Sequence, residues 1–353
     1  MALDNTLLKK ISKDLGISLF IYALPILALI AYFHFTGQTP WLNPPKTQSD
    51  NAPHFLKVLE PGFQGLSKWG FYAITIVLGA VEFAFGLYDN KWTKSERKID
   101  IVCLVAPKFL MPPVSAWFTL TVLPYLLPHA ANIYTWVPFW GGFFLIAIAD
   151  DLTQYWYHRL HHQLPLLWRF HRTHHSAPYM GMAMAGRQNF IYTVFFSQIY
   201  LTSTLVYLGL GYSALFVLVL KSLITLSAHS SIAWDKPFYK YKALHPFAWV
   251  LERLISTPAT HHAHHADTSD DGVGHYKGNF GNMFFIWDVI FKTGIITRQF
   301  PAGYGLKHYK QEEWYAQFLW PIFKSKKEGS ELAKNGPVVG DEVPEYEGEL
   351  RLA

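Results

Sequence analysis

Three groups of histidine stand out by type and spacing: His158-Arg159-Leu160-His161-His162, His171-Arg172-Thr173-His174-His175 and His261-His262-Ala263-His264-His265. Their patterns are HxxxH, HxxHH and HxxHH. On a helix, positions i, i+3 and i+4 share a face. His158 with His162, His171 with His174 and His175, and His261 with His264 and His265 can therefore aim eight imidazoles at one centre. A given start position matches HxxHH by chance roughly once in ten thousand at this histidine content, so two matches in one chain are not incidental. Eight clustered imidazoles are costly to leave without protons or partners, and metal binding is the chemistry they fit. Isolated histidines (His34, His54, His129 and His308) read instead as surface residues with an apolar body and a polar tip.

Imidazole suits iron, copper, nickel and zinc alike. A single zinc takes four ligands, so eight are too many for one, and no HExxH is present. Soluble di-iron bundles rely on Glu and ExxH, but no glutamate occurs between Glu96 and Glu252. The lone cysteine, Cys103, excludes a thiolate site. A nitrogen-rich two-metal site remains. Neutral imidazoles leave the metals with high net charge, which suits binding and reduction of oxygen.

The elements that must carry these clusters belong to a membrane protein. The 353-residue chain is 51% hydrophobic and only 16% charged, against about 25% charged in soluble domains. A crossing needs about 20 apolar residues, and six stretches qualify as spans: 17–35, 69–88, 101–127, 133–149, 190–208 and 212–228. Gly209-Leu210-Gly211 joins the last two as a tight turn, and Lys221 points the sixth to a bundle interior. The basic N-terminus, read as a retained anchor, and the loop bearing Lys91, Lys94, Arg97 and Lys98 are expected in the cytoplasm. Span counting then puts all three histidine groups on that side. Residues 237–257 and 314–323 suit interfacial helices, and 325–353 a disordered tail. The fold class expected is all-α, a multi-pass transmembrane bundle with a histidine-rich cytoplasmic cap. Its regions are 1–139 (membrane), 140–295 (the histidine domain) and 296–353. The basic residues are scattered, so the net charge of +5 does not indicate nucleic-acid binding.

Residues 140–295 resemble the fatty acid hydroxylase and sterol desaturase superfamily of membrane di-iron enzymes. Asp151-Leu-Thr-Gln-Tyr155-Trp-Tyr-His158-Arg159 looks like its opening motif. Leu167-Trp168-Arg169-Phe170-His171 leads the second box, and His174-His175-Ser176 completes it. Ala228-His229-Ser230-Ser231 is similar to its single-histidine element, and Thr257-Pro258 precedes the third box. Asn279-Phe280-Gly281 and Trp287-Asp288 through Phe291-Lys-Thr293 look like its closing signature. The resemblance implies two iron ions on His158, His162, His171, His174, His175, His229, His261, His264 and His265. His245 is a weaker candidate. His161 and His262, one step off the shared faces, are expected to act as hydrogen-bond partners or substrate-side contacts. Asp151, Asn279 and Asp288 are candidates for orienting the imidazoles, with helix capping the competing role. The segment 180–189 keeps Arg187 but continues as Gln188-Asn189 where relatives often carry a histidine.

The resemblance implies oxygen-dependent hydroxylation of a lipid C–H bond, with desaturation of a sterol or carotenoid-like lipid as the alternative and metal transport as the non-enzymatic one. It implies a substrate that enters from the bilayer. The sequence carries no flavin, nicotinamide or haem module, so a separate electron donor (a cytochrome or ferredoxin with its reductase) is expected. The membrane would be a bacterial inner membrane or the endoplasmic reticulum.

Overall fold

A computed structural model describes residues 5–88, 90–307, 311–333 and 351–352. The chain is built from helices: α1 (Asn5–Thr36), α2 (His54–Gly65), α3 (Phe71–Ala84), α4 (Lys94–Trp117), α5 (Leu123–Leu126), α6 (Phe139–Gln163), α7 (Pro165–His175), α8 (Phe190–Val194), α9 (Ser197–Leu205), α10 (Gly211–His229), α11 (Lys236–Lys240), α12 (His245–Leu254), α13 (Pro258–His264), α14 (Ile286–Phe291) and α15 (Trp314–Leu319). Two short parallel strands, β1 (Ile295–Ile296) and β2 (Arg351–Leu352), pair with each other. The expected all-α class holds.

Four helical stretches among the described residues are long and apolar enough to cross a membrane: Leu8–Thr36, His54–Ala84, Lys94–Leu126 and Phe190–His229. Large apolar residues such as Leu19, Phe20 and Ile30 are exposed along the first, as lipid-facing residues should be. The six-span expectation differs in two places. The stretch 133–149 becomes helical only at Phe139, and α6 then carries Asp150 and Asp151; its apolar part is too short for the ~20 residues of a crossing. The last two expected spans form one run of 40 residues, broken at Gly209, where φ is +104°. That length is twice a single crossing of ~20 residues. Lys221 is buried, as its place in an apolar span requires.

The contacts divide the chain into two compact units. The first comprises Met1–Gly70, Pro113–Gln154 and Ser197–Leu220. Its core packs Phe139 and Phe216 against Ala52 and Leu56. The second comprises Phe71–Pro112, Tyr155–Phe196 and Lys221–Ala353. Its cores join Ile99 and Cys103 of α4 to Phe318 of α15, and Tyr88 to Tyr179, Met180 and Met184. The Met- and Gly-rich segment 180–189 is thus core filler.

Of the expected tail, Ser325 and Ala333 form a bridge and Leu332 is fully buried; residues 334–350 and Ala353 lie outside the described residues. His308 also lies outside them. His34, His54 and His129 are exposed.

Candidate metal centre

Short helices with firm starts and stops hold the histidines. Pro165 opens α7, since its fixed φ suits a first helical turn, and Ser176 closes it by donating from Oγ to the Thr173 carbonyl (2.8 Å). Thr257 caps α13 and Pro258 occupies its first turn; the Thr260 hydroxyl accepts from the Thr257 N–H (3.0 Å). The two HxxHH boxes lie on these two helices.

The nine histidines form two buried clusters, both within the second unit. His158, His162, His171, His175 and His264 make one; His174, His229, His261 and His265 make the other. Within each cluster the candidate ligand nitrogens lie within 4.8 Å of one another. Each HxxHH box is therefore divided: α7 sends His171 and His175 to the first cluster and His174 to the second, whereas α13 sends His264 to the first and His261 to the second. The clusters adjoin, for the His175 and His265 rings stack at 4.3 Å between centroids.

Backbone carbonyls fix several rings. The Nδ1–H of His158 donates to the Phe280 carbonyl (2.8 Å) and that of His264 to the Gly278 carbonyl (2.7 Å). In the second cluster, His174 Nδ1 donates to the Arg187 carbonyl (3.1 Å) and His229 Nδ1 to the Thr225 carbonyl (2.7 Å). These bonds assign the proton to Nδ1 and leave the Nε2 lone pair free to ligate. The His158 and His264 Nε2 atoms lie 3.0 Å apart, and those of His174 and His229 3.3 Å apart. No proton bridges either pair, so lone pairs face each other across a gap that a cation would fill. Ligands at right-angle or tetrahedral positions around a metal with bonds of ~2.1 Å are separated by about 3.0–3.4 Å. Both nitrogens of His162 and both of His171 are buried with no hydrogen-bond partner. Orphaned atoms of this kind need an explanation, and the donor set fits transition-metal ions that accept neutral imidazole.

The electrostatics agree. Burial, aided by the neighbouring His161 and His229 and opposed by the bond to the Phe280 carbonyl, takes His158 down to about 3. Burial and the crowding of other imidazoles hold His162, His171, His175 and His265 well below the ordinary histidine range. The rings are neutral, the state that binds metal.

The other candidates take different places. Asp288 reaches no imidazole. It accepts from the Phe280 and Gly281 N–H groups (2.9 and 2.7 Å) and from the Thr293 hydroxyl (2.6 Å), so it shapes the loop whose carbonyls hold His158 and His264. Asn279, in the left-handed region at φ +55°, donates to the Thr260 and Ile295 carbonyls (2.9 and 3.0 Å) and ties that loop to α13. Asp151 is fully buried on α6, in the first unit. His262 donates from Nε2 to the Ser230 carbonyl (3.0 Å) and accepts from the Tyr304 hydroxyl (2.9 Å). The Nδ1–H of His161 donates to the Tyr157 carbonyl (2.7 Å). His245 is half-buried and bonds the Tyr239 carbonyl at 3.1 Å. None of these three belongs to either cluster.

Sequence reasoning gave no role to the buried polar frame around the second cluster. The Arg187 guanidinium pairs with Glu96 and Asp100 and donates to Ser176 Oγ (3.1 Å) and Gln317 Oε1 (2.9 Å), while its carbonyl orients His174. Asn189 caps α8 and donates to the Gln317 and Trp320 carbonyls (3.1 and 3.0 Å). The only signal for this frame was polar residues in an apolar context.

The family model described as Fatty acid hydroxylase matches residues 143–293. This stretch is similar to that family. It contains all nine clustered histidines. The chain is also similar to an alkylglycerol monooxygenase of Danio rerio, 24% identical over 223 residues (57% of this chain and 45% of the relative). An alkylglycerol monooxygenase of Homo sapiens is 28% identical over 163 residues (46% and 32%). The match thus spans less than half the length of each relative. No solved structure matches.

Proposed function

We propose that this chain is a membrane-bound oxygenase that holds one iron in each histidine cluster and hydroxylates a C–H bond of a lipid. The observation that carries the reading is the pair of adjoining, fully buried, all-imidazole clusters, with unprotonated Nε2 atoms facing each other at 3.0 and 3.3 Å. The match of residues 143–293 to the fatty acid hydroxylase family model and the similarity to alkylglycerol monooxygenases favour a lipid substrate. The reaction balances as RH + O2 + two electrons + two protons giving ROH + H2O, with the electrons from a separate donor protein.

In this reading His158, His162, His171, His175 and His264 hold one ion and His174, His229, His261 and His265 the other. Bound iron supplies oxygen activation, for which no side chain is competent. The chain's own part is to hold nine neutral rings in place, to keep water out of a site buried on every side, and to present the right carbon. Phe280, Gly278, Arg187 and Thr225 carbonyls fix the tautomers; Asp288, Asn279 and the Arg187 network keep those carbonyls in place. The basic loop with Lys91, Lys94, Arg97 and Lys98 belongs to the same unit as both clusters, which supports a cytoplasmic site by the positive-inside rule.

Metal analysis of the purified full chain tests this. About two irons per chain are expected. His264→Ala is expected to lose the five-histidine site, His174→Ala the four-histidine site, and each to abolish oxygen-dependent lipid oxidation. Full metal content together with full oxidation in both variants defeats the proposal.

A further inference from the structure

A hydrocarbon substrate needs a path to the histidine clusters. A cavity of about 410 Å3 lies among α6, α7 and α8 in the second unit, within the ~300–1,000 Å3 of small-molecule sites. Its mouth is marked by Phe195, 65% exposed, and its floor by His161 and Tyr192, both 4% exposed. Leu160, Leu167 and Ile191 line its sides. No charged side chain is among its lining residues. Two of its polar groups are engaged with the backbone: the Tyr157 hydroxyl donates to the Tyr192 carbonyl (2.8 Å) and His161 Nδ1 to the Tyr157 carbonyl (2.7 Å). A polar headgroup would find no charge here, whereas methylenes would find apolar walls.

Two observations say which chain occupies it. The floor adjoins the five-histidine cluster: the Tyr192 ring stacks on His171 at 4.9 Å with an interplanar angle of 22°, and the His161 ring centroid is 6.2 Å from that of His171. The mouth is bordered by Ile191 and Phe195, at the start of the apolar run Phe190–His229, which is long and apolar enough to cross a membrane, and this favours entry of a lipid chain there. We propose that this cavity is the alkyl-chain subsite of the oxidation: the lipid chain enters beside Phe195 and lies against Tyr192 and His161, one ring away from His171. The proposal rests on the lipid-oxidising reading above and adds where the chain lies and which residues measure it. Leu160 and Ile191 set the width, and Tyr192 and His161 set the depth.

The test is photocrosslinking of the full chain in phosphatidylcholine nanodiscs with octadecanol carrying a diazirine at the chain end. Adducts are expected on peptides covering residues 157–161 and 191–195, and excess unlabelled octadecanol should compete them away. Leu160→Trp, which fills the cavity, should lower the adduct yield at least about tenfold with metal content unchanged. Ile191→Trp blocks from another wall and serves if the first variant does not fold. Adducts only elsewhere, cavity adducts that octadecanol does not compete (a resident bilayer tail), or adducts untouched by both tryptophans overturn the proposal. Wild-type protein that labels at the cavity but binds no metal overturns the oxygenase reading instead.

Discussion

His262 and His264 sit two positions apart on α13, yet their surroundings differ. His262 has a partner at each nitrogen, the Ser230 carbonyl and the Tyr304 hydroxyl. His264 has a carbonyl at Nδ1 and only the Nε2 atom of His158 at its other end. A ring with two ordinary hydrogen bonds is satisfied without a metal; a ring with one bond and one bare lone pair facing another is open to ligation, as the proposed function requires. His262→Gln is therefore expected to destabilise the protein by about 1–3 kcal/mol, the cost of leaving a buried partner unmatched, while metal content per folded chain stays at the wild-type level. Thermal unfolding and metal analysis on the same preparation check this. Loss of metal with no change in unfolding would reverse the assignment.

At the scale of elements, the sequence was informative wherever the signal was local. The Gly209-Leu210-Gly211 break was legible, and Gly209 indeed leaves the helical region at φ +104°. The grouping of histidines was legible too, because i, i+3 and i+4 lie on one face whatever the fold. How each box divides between two clusters was not, since that depends on how α6, α7 and α13 pack. Span 133–149 falls short because residues 133–138 are not helical, which leaves α6 only a short apolar stretch before Asp150-Asp151. Gly209 supports a prediction at this scale. An added Cβ would lie 2.9 Å from Thr135 Cγ2 and 3.0 Å from the Thr135 nitrogen, in a conformation unfavourable to any L side chain. The contact is set by the Asn132 and Tyr134 N–H groups, which donate to the Tyr207 and Leu208 carbonyls (2.9 and 2.8 Å). Gly209→Ala should cost about 1–3 kcal/mol, read as a lower unfolding midpoint in detergent, with metal content per folded chain unchanged because both clusters belong to the other unit. A midpoint equal to wild type would show that the kink is not required.

At the scale of the molecule, the family-matched stretch supplies every clustered histidine and the carbonyls that orient them, but not everything that holds those segments. Glu82 of α3, Glu96 and Asp100 of α4 and Gln317 of α15 lie outside residues 143–293 and bond to the segments around the second cluster. Glu82 is the clearest case. It is fully buried in a helix apolar enough to span a membrane, where an ionisable group is costly unless satisfied. Its Oε1 accepts from the Ser230 hydroxyl (2.7 Å) and the Ser231 N–H (2.8 Å); its Oε2 accepts from the Tyr88 hydroxyl and the Met182 N–H (both 2.7 Å). One carboxylate thus joins α3 to the residues that follow His229 and to the segment leading to Arg187, whose carbonyl orients His174. The Ser230 carbonyl in turn receives His262. Glu82→Ala removes all four bonds and strands donors that include the buried Ser230 hydroxyl and Met182 N–H, a loss of about 3 kcal/mol or more. Because those donors adjoin His229 and the path to His174 rather than His158 or His171, the four-histidine cluster should lose its metal first. Metal content of the folded variant is expected to fall from about two towards about one per chain, with Glu82→Gln, which keeps both acceptor and shape on one side, intermediate. Two full equivalents in Glu82→Ala would mean that the matched stretch organises its own site, and that the flanking helices serve only to place it in the membrane.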